Sequence, residues 1–169
     1  MIGSKGERMD RATFEDYLAR HNAGDYRSMA ERYFHPEIVI EVAGHPVVHG
    51  RDAALRRLDA VVRDVTSTLF AYDLELDPGG LEVWVDLYEW AECRHDGSSL
   101  FGVPMRAGQI RLVPLRAHFI LRGLRFGCIL VESADQPIEI DDRFGLSTNR
   151  GSDRARWIEQ YRHGKRAHY

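Results

Sequence analysis

The stretch NAGDYRSMAERYFHPEIVIEV, residues 22–42, carries the most information about the fold of this chain. It opens on Asn22-Ala23-Gly24-Asp25, which stops one helix and supplies the N-cap of the next. A short helix over 26–34 follows, and His35-Pro36 ends it because proline disfavours helical backbone in the residue before it. The β-branched run 37–42 then predicts a strand.

On either side of this stretch, helical spacing of apolar residues predicts a first helix over 11–21 and a third over 52–65. After the third helix the hydrophobic period changes to two. In the strand predicted over 68–76, alternation puts Phe70, Tyr72, Leu74 and Leu76 on one face. The other predicted strands are 47–49, 81–94, 109–121 and 124–132, and a last helix is predicted over 152–162.

Helices that precede a run of antiparallel strands are typical of an α+β layer. We therefore predict a cone-shaped, curved antiparallel sheet with three N-terminal helices packed on its concave face, plus a C-terminal helix. The domain is predicted over 11–135. A C-terminal extension covers 136–169, and residues 1–10 are expected to be flexible.

Composition excludes several function classes. The chain has 169 residues and a net charge of −3, so no nucleic-acid partner is expected. No apolar run is long enough for a membrane span, and no secretion signal is expected because residues 1–10 are polar. Cys93 and Cys128 are expected to be reduced thiols in a cytoplasmic protein, although their pairing stays open. No phosphate loop or dinucleotide motif is present, and His45 and His49 lack a third ligand, so we predict no cofactor and no metal.

A set of motifs in fixed order carries a family resemblance. Its parts are Phe14-(x)2-Tyr17-Leu18, 22–25, 33–41, His49-Gly50-Arg51-Asp52-Ala53 with Leu55 and Leu58, and 116–120 followed by Gly123 and 129–132. In this order they resemble the nuclear transport factor 2-like superfamily, which includes the SnoaL-like polyketide cyclases and the ketosteroid isomerases. The resemblance implies a cone around an apolar pocket.

The same resemblance implies catalytic positions. In the isomerases a carboxylate base ends the first strand. Here Val42 matches that position and Glu41 precedes it, so the isomerase base is expected to be absent. In the cyclases an acid/base residue lies on the last strand and a histidine on the strand before it, and Glu132 and His118 match. We expect the Glu132 carboxyl to lie inside the cone near His118. The alternative interpretation is that Glu132 marks a solvated strand end and that His118 lies on an outer face.

The strand 81–94 carries a second cluster. Trp84, Asp86, Tyr88 and Trp90 alternate onto one face, and the other face is apolar but interrupted by Glu89. The aromatic stripe is consistent with a pocket wall, a dimer interface or plain core. Asp86 and Tyr88 form a reserve catalytic pair. The predicted substrate-binding residues are Tyr17, Tyr33, Val42, Tyr72, Trp84, Trp90 and Phe119, with core packing as the alternative for the tyrosines.

The leading functional hypothesis is a cofactor-independent cyclase, isomerase or dehydratase that moves protons on a small apolar, polyketide- or terpenoid-like substrate. One alternative is a noncatalytic ligand binder or dimeric scaffold of the same fold. A second is an epoxide-opening enzyme that holds a water between Asp86 and Glu132. A homodimer through the outer face of the sheet is also expected, because both faces of 81–94 carry large apolar groups.

Overall fold

The structure is a computed structural model that describes residues 8–100, 103–140, 156, 158 and 159. Helices come first and long strands second, in the order that the sequence predicts. The elements are α1 (Arg11–Asn22), α2 (Tyr26–Tyr33), β1 (Phe34–Val42), β2 (Val48–His49), α3 (Arg51–Asp64), β3 (Val65–Leu76), β4 (Glu82–Cys93), β5 (Ser99–Leu100), β6 (Val103–Pro104), β7 (Ile110–Arg122), β8 (Arg125–Ser133) and β9 (Ile138–Ile140).

Local chemistry sets the ends of the first two helices. α1 begins where the Asp10 carboxylate accepts the backbone N–H of Thr13 at 2.8 Å, which satisfies a free donor of the first turn. Past its end, Gly24 takes a positive φ of 74°, a conformation that favours glycine. α2 stops one residue before the extended Phe34. These boundaries follow from short-range rules, so the sequence predicts them well.

The main sheet runs in the order β2-β1-β8-β7-β4-β3. The α+β class and the three helices on a curved sheet are confirmed. The expectation of an antiparallel sheet is wrong in one place, because β1 and β8 pair in parallel, with Ile40 opposite Ile129. Strand periodicity does not encode the direction of a partner far away in the chain, which is why the sequence missed this pairing.

The helices cover one face of the sheet, here called the inner face. Aromatic rings pack edge to face between helices and strands, with centroids 5.0 Å apart for Phe14 and Phe119 and 5.1 Å apart for Tyr17 and Phe126. The aromatic residues of this core are Phe14, Tyr17, Tyr33, Phe34, Phe119 and Phe126, each at most 6% exposed. Packing of this density makes the inner face a close-fitting core.

A bulge in β3 changes the predicted alternation of that strand. The register with β4 shifts between Ala71 and Asp73. As a result Phe70 and Tyr72 pack on the outer face, whereas Leu74 and Leu76 join the inner core. The prediction that all four share one face is therefore wrong, because one extra residue in a strand reverses the side chains that follow it.

The opposite, outer face has its own apolar cluster at one end. Tyr88, Trp90, Ile110 and Leu112 are buried there together with Ile158 from the C-terminal extension. Of the predicted helix 152–162, the described residues Arg156, Ile158 and Glu159 are helical, and the others lie outside the described residues.

The strand β9 was not predicted from the sequence. It pairs with β7 along the same edge as β8 but nearer the start of β7, with Leu112 opposite Ile138. Pro114 lies at the interruption between β8 and β9. Because proline has no N–H to donate, the ladder loses a hydrogen bond there and the pairing divides into two strands.

The N-terminal residues are described from residue 8. Met9 is buried in the core and Asp10 caps α1, so residues 9 and 10 belong to the folded domain. Residues 1–7 of the expected flexible segment lie outside the described residues. Among the helices that are described, none combines the length and apolar character that crossing a membrane requires.

Candidate functional site

One carboxyl group lies on the inner face among apolar side chains. Glu89 of β4 is 8% exposed, and the Ser67 hydroxyl of β3 donates a hydrogen bond to its Oε1 at 2.6 Å. Burial raises the pKa of Glu89 above its ordinary value, and the hydrogen bond from Ser67 opposes this shift. A buried carboxyl with a raised pKa is suited to donate a proton.

A buried histidine, whose pKa is lowered and not raised, lies at the end of α1. His21 is 7% exposed, and burial lowers its pKa to about 4. Its ring meets the Tyr26 ring edge to face, with centroids 5.4 Å apart. Burial and then the charge of Glu89 raise the pKa of Tyr26, so Tyr26 lies within electrostatic reach of the acid. Because its pKa is this low, His21 is neutral near pH 7. Tyr26, which contacts His21 and is affected by the charge of Glu89, lies between the surroundings of the two groups.

The end of α1 is tied to the strand that lies beside Glu89. The Asn22 amide donates to the backbone oxygen of Leu69, and its oxygen accepts the Leu69 N–H, both at 2.8 Å. Leu69 is the direct cross-strand neighbour of Glu89. His21 and Glu89 are thus connected through the Asn22–Leu69 hydrogen bonds and the pairing of Leu69 with Glu89.

A groove of about 370 Å³ lies between α1 and β3, which is the last strand of the sheet in the described part of the chain. Two sets of hydrogen bonds bridge α1 to this edge strand: Asn22 to Leu69, and Arg11 to the oxygen of Leu74 at 3.2 Å. Phe14 and Leu18 line the groove from the helix side. Its volume lies within the range of small-ligand pockets. Its lining includes Leu69, the cross-strand neighbour of Glu89.

In the sequence, Glu89 is recognisable only as an interruption of the apolar face of 81–94. That interruption is the sequence feature that could have identified Glu89 as a candidate site residue. A single carboxyl in a row with Val83, Val85, Leu87 and Ala91 must be neutral or paired once the face is buried. The sequence did not show which face of 81–94 points inward.

Glu132, the leading catalytic candidate, lies elsewhere. It is exposed and directly opposite Arg116, which is opposite Asp86 on the outer face of β4. The expectation that its carboxyl lies inside the cone is wrong, because β8 carries one extra residue between Phe126 and Cys128. Phe126 and Ile129 therefore both pack in the inner core, and residue 132 points away from the helices. The alternative interpretation, a solvated strand end, describes its position.

The expected partners of Glu132 are engaged with other groups. His118 Nε2 lies 2.7 Å from the Glu82 carboxylate, and its ring stacks on Trp84 at 4.6 Å. Asp86 forms a two-point salt bridge with Arg116, at 2.8 and 3.3 Å. The expected His118–Glu132 pair is thus replaced by His118–Glu82. A water held between Asp86 and Glu132 would lie on the outer face, not in the cone.

The aromatic stripe of β4 divides between two environments. Tyr88 and Trp90 are buried in the outer apolar cluster, so they are core residues of that cluster. Trp84 is 38% exposed and lines a second groove of about 600 Å³ on the outer face, together with His118, Val42 and Glu132.

The remaining predicted substrate-binding residues lie mainly in packed surroundings. Tyr17, Tyr33 and Phe119 belong to the inner aromatic core, and the Tyr33 hydroxyl donates to the Asp16 carboxylate at 2.5 Å. Tyr72 is half-buried beside Tyr88, with ring centroids 4.9 Å apart, and it also lines the α1–β3 groove. Their roles in binding remain predictions.

The structure also shows where the two cysteines lie and whether metal-binding side chains come together. Cys93 packs in the inner core, whereas Cys128 lies opposite Ile120 on a different strand pair, and both thiols are free. The two cysteines therefore do not pair in the structure, and their reduced state stays a prediction. Within the described residues, no three His, Cys, Asp or Glu side chains come together as a metal site.

Comparisons with known proteins identify the fold. No family model and no curated protein matches the chain. It is similar to the crystal structure of a "putative polyketide cyclase" from Xanthomonas campestris, with a TM-score of 0.63 and 18% identity over 70% of this chain and 85% of that one. It is also similar to an LEH-like epoxide hydrolase from M. tuberculosis, with a TM-score of 0.56 and 12% identity over 71% and 78% of the two chains.

A third similar structure is an NTF2-like protein of unknown function from Cytophaga hutchinsonii. The TM-score is 0.51, with 12% identity over 75% of this chain and 97% of that one. The resemblance found in the sequence motifs is confirmed at the level of fold: the chain has the nuclear transport factor 2-like fold found in SnoaL-like cyclases. One fold hosts many chemistries, so the site has to carry the functional argument.

Proposed function

We propose that this protein catalyses proton transfer on a small apolar substrate that carries a carbonyl group, without a cofactor. This is the chemistry shared by cyclases, isomerases and dehydratases that act through an enol. The observation that carries the proposal is Glu89, a buried carboxyl with a raised pKa on the apolar inner face of the sheet. It replaces Glu132 as the acid.

In the proposed reaction, His21 and Glu89 divide the proton transfers. His21 is neutral near pH 7 and accepts a proton from the carbon next to the carbonyl. Glu89 donates its proton to the carbonyl oxygen, which forms the neutral enol. The Ser67 hydroxyl occupies Oε1, so Oε2 carries the proton. Return of a proton to carbon and of the enol proton to Glu89 restores both groups. Two titratable groups whose environments move their pKa values in opposite directions support this division.

The α1–β3 groove is the proposed entry for the substrate. Its lining includes Phe14, Leu18 and Leu69, which favours an apolar body, and Leu69 lies directly beside Glu89. Because the aromatic core is closely packed, we propose that a ligand enters at this groove and approaches Glu89 past Leu69.

The second candidate function is noncatalytic ligand binding. The groove on the outer face favours it, because that groove is the larger one and presents the exposed Trp84 ring. A ligand bound there would lie on the opposite side of the sheet from Glu89.

The test is α-proton exchange of the bicyclic ketone α-tetralone in deuterated buffer, followed by mass spectrometry. We expect the wild-type protein to accelerate exchange, and Glu89→Gln to lower the rate about 10²–10⁴-fold, because the substitution removes the acidic proton and keeps the shape. Glu132→Gln is the matched control and should exchange at the wild-type rate. A wild-type protein with no exchange above buffer would favour the binding function. Loss of exchange in Glu132→Gln alone would return the role to Glu132.

A further inference from the structure

The Asn22 side chain has only one possible orientation. The Leu69 N–H can only donate a hydrogen bond, and the Leu69 carbonyl can only accept one. Both lie 2.8 Å from the Asn22 carboxamide. The atom that faces the N–H must be the oxygen Oδ1, and the atom that faces the carbonyl must be the nitrogen Nδ2. The ambiguity that usually surrounds an amide side chain is therefore removed by backbone groups.

The orientation of the Asn22 amide also determines which of its atoms faces the neighbouring His21. The Nδ1 atom of His21 lies 3.4 Å from the same Oδ1. An amide oxygen offers only lone pairs, so the nitrogen that contacts it must carry the hydrogen. In a neutral imidazole the other nitrogen, Nε2, then holds the lone pair.

We infer that Asn22 is a positioning residue that holds His21 in the tautomer with hydrogen on Nδ1 and leaves Nε2 as the basic atom. Its role in catalysis rests on the proposed function, because there His21 is the base that removes the substrate proton. The tautomer itself does not rest on the proposed reaction: it follows from the hydrogen bonds and from the burial that keeps His21 neutral. The same Asn22 amide anchors the end of α1 to β3, so one side chain sets both the position and the protonation of the base.

The tautomer is read by ¹⁵N NMR of the full-length protein at mildly alkaline pH. We expect Nδ1 of His21 to give the signal of a protonated ring nitrogen and Nε2 that of an unprotonated one. Observation of hydrogen on Nε2 in the wild-type protein would overturn the inference.

Two variants test whether Asn22 is the cause. Asn22→Leu has nearly the same shape but no acceptor, and it should shift His21 away from the Nδ1-protonated form. Asn22→Asp keeps an acceptor toward both Nδ1 and the Leu69 N–H, and it should preserve hydrogen on Nδ1. If the tautomer of Asn22→Leu is unchanged while its thermal unfolding shows a folded protein, the inference fails. If Asn22→Leu does not fold, loss of the Nδ1 hydrogen in Asn22→Asp also contradicts the inference.

A kinetic readout separates this inference from the proposed function. With α-tetralone we expect slower exchange in Asn22→Leu and substantial recovery in Asn22→Asp. A wild-type protein with hydrogen on Nδ1 but no exchange contradicts the proposed function and leaves the tautomer assignment in place. Exchange that is equally fast in the wild-type protein and Asn22→Leu shows that Asn22 does not position the base.

Discussion

At the scale of single residues, the burial of one carboxyl carries the functional argument. Glu89 and Glu132 are the same amino acid, each on a long strand of the main sheet. Glu89 points toward the helices and is 8% exposed, whereas Glu132 points away from them and is exposed. Desolvation therefore acts on Glu89 and favours its neutral form. The two glutamates therefore differ in burial because their side chains point to opposite faces of the sheet.

The raised pKa of Glu89 predicts a pH-dependent stability. In the unfolded chain this carboxyl ionises near 4.5, whereas the folded protein keeps the proton to higher pH. Above 4.5 the folded state therefore binds more protons, and stability falls as pH rises toward the folded pKa, by about 1.4 kcal/mol per pH unit at most. Glu89→Gln removes this loss. The melting temperature of the variant should therefore fall less than that of the wild-type protein as the pH rises above 4.5.

The measurement compares thermal unfolding of both proteins from pH 4.5 upward, where the carboxyl of the unfolded chain begins to lose its proton. His21 titrates in both proteins, so the difference between the two profiles reports Glu89 alone. Parallel pH profiles of the two proteins would show that Glu89 has no raised pKa.

At the scale of elements, α1 connects the core to the candidate site. Its buried side carries Phe14 and Tyr17 into the aromatic core and His21 against the Tyr26 ring. Its last residue bonds to the edge of β3. The position of His21 therefore depends on how firmly the earlier turns of α1 are packed.

Removal of the central ring of this helix should weaken the fold. Phe14 is fully buried and contacts Tyr17, Phe119 and Phe126. Phe14→Ala should lower the free energy of unfolding by about 3–5 kcal/mol, because a buried cavity replaces the ring. Urea denaturation measures the loss. Phe70→Ala, at a half-buried position on the outer face, is the control and should cost less. Equal costs would contradict a core centred on α1.

At the scale of the whole molecule, the outer face of the sheet is divided in two. The half around Trp90 and Ile110 is covered by residues of the same chain, including Ile158. The half around Trp84 and Val47 remains open, with these side chains 38% and 46% exposed. Part of the apolar surface that motivated a dimer is thus buried within one chain, and the open half keeps the prediction in place.

We therefore predict a homodimer through the open half of the outer face. Light scattering at micromolar concentration should give twice the 19.4 kDa of one chain. Trp84→Glu should shift the protein toward the monomer, because it places a charge in an apolar contact. Leu124→Glu, an exposed position in the hairpin between β7 and β8, should have no such effect. A wild-type mass of one chain would contradict the prediction.

Local sequence patterns were enough to predict the three N-terminal helices, the long strands that follow them, the helix ends and the α+β class. These depend on hydrophobic period, caps and proline, which act over a few residues. The folded molecule was needed to show that β1 pairs with β8 in parallel and that the bulge at Ala71–Asp73 reverses part of β3. It was also needed to show which face of β4 is inward. That choice buries Glu89 and leaves Trp84 outside, and it follows from packing between segments far apart in the chain, which no local pattern records.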